Sequence, residues 1–201
     1  MSLLIETIKI TNNQIRNIKF HTERVNYSRR ILLNSNDTLD LAELIIVPIL
    51  DPEKKYMCRV LYSQKIENVE FIEYFPRKIK KLFLVTANDL DYSFKYADRE
   101  ELNKLKTITT SDPNSDILII QNGLITDTSF SNIVFFNGRD WLTPTTPLLK
   151  GTKREYYLHK HLIKESQITV DDLNKFSKVR LINAMLDLED GNDIIEIIGG
   201  G

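Results

Sequence analysis

The sequence predicts an α+β fold made of two small α/β subdomains, residues 1–86 and 87–201. Three observations carry that reading. Short runs rich in aromatic and branched residues dominate the first half, with two helical segments among them. In the second half, a tight turn at Asn122-Gly123 separates an apolar strand from its return. A segment punctuated by Pro144 and Pro147 then leads into a helix whose first turn holds Gly151, Thr152 and Lys153.

The elements follow in order. Residues 3–10 alternate late in the run, with Glu6, Ile8 and Ile10 set against Thr7 and Lys9, which suits a strand. Residues 11–14 are turn chemistry, and Ile15 to Phe20 reads as the hairpin partner. His21 to Leu33 is helical, with Val25, Ile31 and Leu32 on one side and Arg24, Arg29 and Arg30 on the other. Asp37-Thr38 resembles a cap for a second short helix ending at Leu44, and Ile45 to Val47 is extended up to Pro48. Met57 to Tyr62, Val69 to Tyr74 and Ile79 to Val85 read as strands.

Asp98 is placed to cap a helix through Lys106, with Glu101 completing a capping box. Residues 107–115 read as a polar loop. Asp116 to Gln121, Leu124 to Thr126 and Asn132 to Phe136 read as strands, the last closed by the turn at Asn137-Gly138. The helix after Gly151 is expected to reach about Glu165. Asp171 to Phe176 is a short helix, Lys178 to Asn183 a strand, and Ile194 to Ile198 a closing strand.

Composition narrows the function classes. A net charge of −1 offers no electrostatic case for nucleic acid or an anionic membrane. The single cysteine, Cys58, rules out an internal disulfide and fits a reducing cytosol. Leu44 to Leu50 is far too short to span a bilayer, and the first ten residues lack the basic flank and cleavage site of a signal peptide, so a cytoplasmic protein is expected. One Cys and three scattered His disfavour zinc, and no metal site is expected. No G-x-G-x-x-G, Walker loop or nucleophile elbow is present.

The helix start at Gly151 is the sharpest local signal. Unpaired N–H groups and the positive end of the dipole suit a phosphate there, and Thr152 adds a hydroxyl. On the residues alone, an ordinary capped helix explains the same pattern. Lys95 on its own is a solvated lysine, Asp127 a turn or strand-end acid, and Arg24 part of a basic face. Arg99 would simply pair with Asp98 or Glu101.

Set in chain order, however, six segments resemble the pyridoxal phosphate (PLP) enzymes of fold type IV, the class IV aminotransferase family. Leu4-Ile5-Glu6-Thr7 is similar to the family's F-E-T strand, and His21-Thr22-Glu23-Arg24 to its H-x-x-R helix start. Lys95 to Arg99 resembles the segment of the lysine that the family joins to its cofactor. Asn122 to Ile133 resembles G-x-[LIV]-x-E-x-x-x-x-N-[LIV]-F, Leu149 to Arg154 resembles L-x-G-[IT]-x-R, and Ile182 to Met185 the last phosphate-side turn.

The resemblance implies a PLP cofactor in the cleft between the subdomains. Lys95 would be the catalytic lysine and Asp127 the acid facing the pyridine nitrogen. Arg24, Gly151, Thr152, Lys153 and Asn183 would serve the phosphate. Arg99 would hold a substrate carboxylate or touch the cofactor hydroxyl, and Thr7 would be a secondary proton donor. Asp127 stands where the family usually has glutamate, one methylene longer. The chain also opens at the E-T strand, without the N-G segment that precedes it in the family. That implies a pocket trimmed on one side or completed by a partner subunit, hence a homodimer.

Three activities are consistent with this pattern. The first is a lyase like 4-amino-4-deoxychorismate lyase, which releases pyruvate and 4-aminobenzoate for folate synthesis. The second is a transaminase of branched-chain or D-amino acids. The third is a non-catalytic phosphate-binding or interaction module. The lyase has no second half-reaction and need not accommodate two amino acids, so a short chain serves it best. The partners expected are a small-molecule substrate and a second copy of the chain.

Overall fold

The computed structural model describes residues 3–191, 193–194 and 196–199. By contacts the chain divides into two compact units. One runs to Pro76 and takes in Phe94–Asp98; the other comprises Arg77–Ser93 and everything from Arg99 onward. The segment containing Lys95 thus belongs with the first unit, whereas a split at residue 86 would place it with the second.

The first unit is one antiparallel sheet backed by helices. β1 (Leu4–Thr11) and β2 (Gln14–Ile15) are followed by α1 (Ile18–Leu33), α2 (Leu41–Leu44), β3 (Lys55–Tyr62) and β4 (Ile66–Glu73). The sheet order is β2-β1-β3-β4. Leu4, Ile8 and Ile10 of β1 and Cys58, Val60 and Tyr62 of β3 face Val25 of α1 and Leu41 of α2, forming a single apolar layer.

Two expectations shift here. The hairpin partner of β1 is only two residues long, because Asn17 takes a left-handed φ of 52° and turns Ile18 to Phe20 into the first turn of α1. The second helix is capped by Asp40, whose side chain accepts from Ala42 N at 2.8 Å. Asp37 instead receives the Arg29 guanidinium at 2.9 Å.

The second unit is a four-layer stack. Its elements are β5 (Lys81–Thr86), α3 (Glu100–Thr109), β6 (Ser115–Gln121), β7 (Leu124–Thr128), β8 (Asn132–Phe136), β9 (Trp141–Pro144), α4 (Thr152–His159), β10 (Lys164–Ser166), β11 (Lys178–Ile182) and β12 (Glu196–Ile198). Short 3-10 helices cover Val170–Lys175 and Leu188–Asp190. The sheets run β12-β5-β6-β7 and β10-β9-β8-β11.

Alternation along the strands builds the layers. Leu118 and Ile120 of β6 meet Ile133 and Phe135 of β8 between the two sheets. Ile117 and Ile119 face Leu102 of α3 on the outside. Val134 and Ile182 pack on the other outer face against Tyr157 of α4.

The N-cap of α3 is Arg99 rather than Asp98, without a side-chain cap, and the helix continues to Thr109 into the stretch expected to be loop. α4 stops at His159 because His161 adopts φ 56° and Leu162 N turns back to Tyr157 O at 2.9 Å. The chain then forms β10, parallel to β9, where the sequence suggested more helix. Within the closing strand expected over 194–198, residue 195 lies outside the described residues, and Glu196–Ile198 is β12.

Candidate active site

β7 extends to Thr128, so Asp127 lies inside the strand rather than just past it. Its carboxylate is buried and accepts from Asn132 Nδ2 at 2.8 Å and from the backbone N–H of Leu149 at 3.0 Å. These donors are amides, not cations. Burial therefore dominates and raises its pKa to about 7, against the opposing pull of those two bonds.

Asn132 ties three segments together. Its Nδ2 also reaches Leu149 O at 2.8 Å, and its Oδ1 lies 1.9 Å from where a Cβ on residue 151 would sit. Gly151 is required because the Asn132 amide occupies that space. The close approach that requires glycine here is made by a side chain of the same unit. Gly151 is the N-cap of α4 and, having no side chain, leaves the helix start without a side-chain cap.

Asn183 joins the same cluster. Its Nδ2 donates to Ser131 Oγ at 2.8 Å, and its Oδ1 accepts from Met185 N and Leu186 N at 2.9 and 3.0 Å. The side chain thus builds the turn it stands in, a role Asn favours. Thr152 and Lys153 are buried in the first turn of α4. The Lys153 ammonium is engaged by the Asp187 carboxylate. The structure therefore gathers Asp127, Gly151, Thr152, Lys153 and Asn183 around the 127–132 and 149–154 segments of one unit.

Arg24, Thr7 and Lys95 belong to the first unit. Arg24 grips Glu6 with two donors, Nε to Oε1 at 2.8 Å and Nη2 to Oε2 at 2.6 Å. His21 Nδ1 lies 2.6 Å from Glu6 Oε2. Glu6 is wholly buried; burial alone would raise its pKa, but Arg24 and His21 outweigh it and hold the acid at about 2. Burial pulls the His21 pKa below its usual value against the attraction of Glu6. Two of the Arg24 donors that sequence reading would send to a phosphate are fixed on this carboxylate.

Lys95 lies on the edge of β1. Its carbonyl accepts from Ile5 N at 3.0 Å, Ala97 N donates to Leu3 O at 2.9 Å, and Tyr96 sits opposite Leu4. Alternation puts Lys95 on the sheet face of Ile5 and Thr7, while Phe94 and Tyr96 pack into the core of the first unit. Residues 94–98 are not helical, so Lys95 and Arg99 do not share a helical turn. Arg99 instead donates from Nη2 to the Ser129 carbonyl, and the Ser129 hydroxyl donates to Asp116 Oδ2 at 2.9 Å.

The Asn132–Phe136 strand, the buried acid before it and the uncapped helix start after it all lie in the stretch that a family model matches. That model, class IV aminotransferase, matches residues 106–188. A protein of unassigned function from Haemophilus influenzae is 36% identical over 185 residues, 90% of this chain and 97% of its own length. A crystal structure from Haemophilus somnus, provisionally named a 4-amino-4-deoxychorismate lyase, is 31% identical with a TM-score of 0.85, covering 94% of this chain and 98% of that one. This chain belongs to the class IV aminotransferase family.

Its architecture is that of the fold type IV aminotransferases. A hypothetical aminotransferase from Mycobacterium tuberculosis in its PLP-bound form shares the fold at 15% identity, with a TM-score of 0.73 over 98% of this chain and 81% of that one. The family segment contains Asp127, Gly151, Thr152, Lys153 and Asn183, all of the second unit.

Two residues central to the geometry, Glu6 and Asn132, stand in the quoted segments but were given no role from sequence. Glu6 signalled itself as the one acid on the strand face of Leu4, Ile8 and Ile10, an arrangement that demands a buried cation. Asn132 gave no comparable signal, because its contact with Gly151 joins positions 19 apart. Among the described residues, no group of His, Cys, Asp and Glu could hold a metal ion. No described helix is long and apolar enough to cross a membrane.

Proposed function

We propose that this chain is a PLP-dependent lyase that converts 4-amino-4-deoxychorismate to 4-aminobenzoate and pyruvate. The observation that carries the reading is full-length similarity, at 31% identity, to the Haemophilus somnus protein provisionally given that activity.

The residues of the second unit fit the cofactor. Asp127 is a buried carboxylate hydrogen-bonded by amides and held at a pKa of about 7 by burial, so a protonated ring nitrogen facing it would supply a directly paired opposite charge. The glycine-capped start of α4 offers backbone donors suited to a phosphate. Thr152, Lys153 and Asn183 would contribute through their backbone or, for Thr152, its hydroxyl. Arg24, preset by Glu6, would add a cation. When bound, PLP supplies an electron sink for the carbon that loses its proton.

The chain's own groups handle the rest. Lys95 Nζ takes the proton from the ring carbon bearing the substrate amine and returns it to the departing three-carbon fragment, with Thr7 as a weaker donor. Loss of that fragment makes the ring aromatic, which drives the step. Arg99 steadies a substrate carboxylate by charge-assisted bonds. A two-fold dimer would complete the pocket.

The competing reading is a transaminase, which the family model's own description favours. Purified protein that shows cofactor absorbance in the visible, lost in Lys95→Ala, excludes a non-catalytic module. Negligible amino-group exchange between amino acids and 2-oxoglutarate in the same preparation argues for the lyase; rapid exchange argues for the transaminase.

A further inference from the structure

Lys153 is in an unfavourable place for a lysine. It lies in the first turn of α4, where the helix dipole already presents positive charge, and its side chain is 6% exposed. A buried ammonium there costs stability unless it is paired. Its partner is Asp187, 34 positions further along the chain, with the Tyr156 and Tyr157 rings 5.7 and 5.5 Å from Nζ.

Asp187 directly follows the turn that Asn183 builds by accepting from Met185 N and Leu186 N. Close by, Tyr157 OH accepts from Leu188 N at 2.8 Å, a second link between α4 and the end of this turn. The Lys153–Asp187 pair therefore joins the first turn of α4 to the turn after β11. Both segments are assigned to the same phosphate in the proposed function, on which this inference rests.

We propose that Lys153 is a positioning residue. Its bond to Asp187 sets the spacing between the two phosphate-side segments and neutralises an acid that would otherwise face the phosphate. The pair need not touch the ligand. The Tyr157 link holds the fold together without it, so losing the pair loosens the phosphate cradle rather than unfolding the unit. A ligand lacking the phosphate would be indifferent to it.

The test compares binding of PLP and of pyridoxal, which lacks the phosphate, to cofactor-free protein by absorbance titration. Wild type should prefer PLP strongly. Lys153→Met and Asp187→Asn should each reduce that preference about tenfold and change pyridoxal affinity less than twofold, while Lys153→Arg should keep most of it. Asp187→Asn keeps the side chain's length and an oxygen that can still accept from the ammonium, so it serves if Lys153→Met fails to fold. Equal weakening of both ligands, or an unchanged preference in natively folded variants, overturns the proposal. A wild type that fails to prefer PLP would instead overturn the cofactor reading itself.

Discussion

Replacing Asp127 with asparagine should stabilise the cofactor-free protein at alkaline pH while impairing cofactor binding. The folded-state pKa of Asp127 is raised from 3.8 to about 7 by burial. A raised carboxylate contributes stability that is fully present below pH 3.8 and is lost as pH rises through 7. Above that pH the folded state carries a buried charge whose hydrogen-bond donors are amides and whose burial outweighs the pull of Arg154, a cost of about 4 kcal/mol.

Asparagine removes the titration but cannot accept at both of the positions that Asn132 and Leu149 now fill. That lost bond costs the same at every pH, so it cancels when two pH values are compared. Between pH 5 and pH 8 the difference between Asp127→Asn and wild type should move in the variant's favour by about 3 kcal/mol. For a chain of this size that corresponds to roughly 6–12 °C in Tm. Calorimetry of cofactor-free protein at the two pH values reads it directly. Saturating PLP should then raise the Tm of wild type more than that of the variant, because only wild type offers the ring nitrogen a carboxylate. A Tm difference between variant and wild type that is the same at pH 5 and pH 8 would refute the reasoning.

Three further outcomes follow from the geometry. Glu6, held at about 2 in the folded state, contributes stability that is complete above its ordinary 4.5 and is lost as pH falls through 2, about 3 kcal/mol in all; Glu6→Gln should lose this acid-range dependence in unfolding curves and leave Arg24 and His21 without their buried partner. Gly151→Ala would put a Cβ 1.9 Å from Asn132 Oδ1, displacing that amide from Asp127 and lowering stability by about 1–3 kcal/mol in denaturant titrations. Arg99→Ala should raise KM more than it lowers kcat, read from steady-state kinetics, because it removes a charge that holds substrate in ground and transition states alike.

Much of this architecture was legible because the strands alternate. Asn132 to Phe136 is bounded as its composition implies, and β11 runs from Lys178 to Ile182, one residue short of the expected Asn183. What was not legible depended on single backbone conformations or on distant partners. Left-handed Asn17 and His161 set where α1 begins and α4 ends, and neither residue type announces φ > 0 as glycine does. β9 and β10 are four and three residues long and owe their form to pairing with each other and with β8, which no local pattern encodes.

The same distinction runs through the site. Residue types within each motif were readable, and those of the second unit converge on one cluster. Their partners were not readable: Arg24 with Glu6, Lys153 with Asp187 and Gly151 with Asn132 are contacts over 18, 34 and 19 positions. The family resemblance assigned Arg24 and Lys153 to a phosphate, and the folded chain engages both side chains with its own acids, a pairing that no local pattern announced.

The most direct measurement of the central claim follows both products from a single substrate. Chorismate and a glutamine-dependent synthase generate 4-amino-4-deoxychorismate in place, and pyruvate and 4-aminobenzoate are quantified together after adding the purified chain with PLP. The account predicts equal amounts of the two products, formed by wild type and absent with Lys95→Ala. Neither product, together with rapid amino-group exchange between an amino acid and 2-oxoglutarate, would contradict it and make the protein a transaminase.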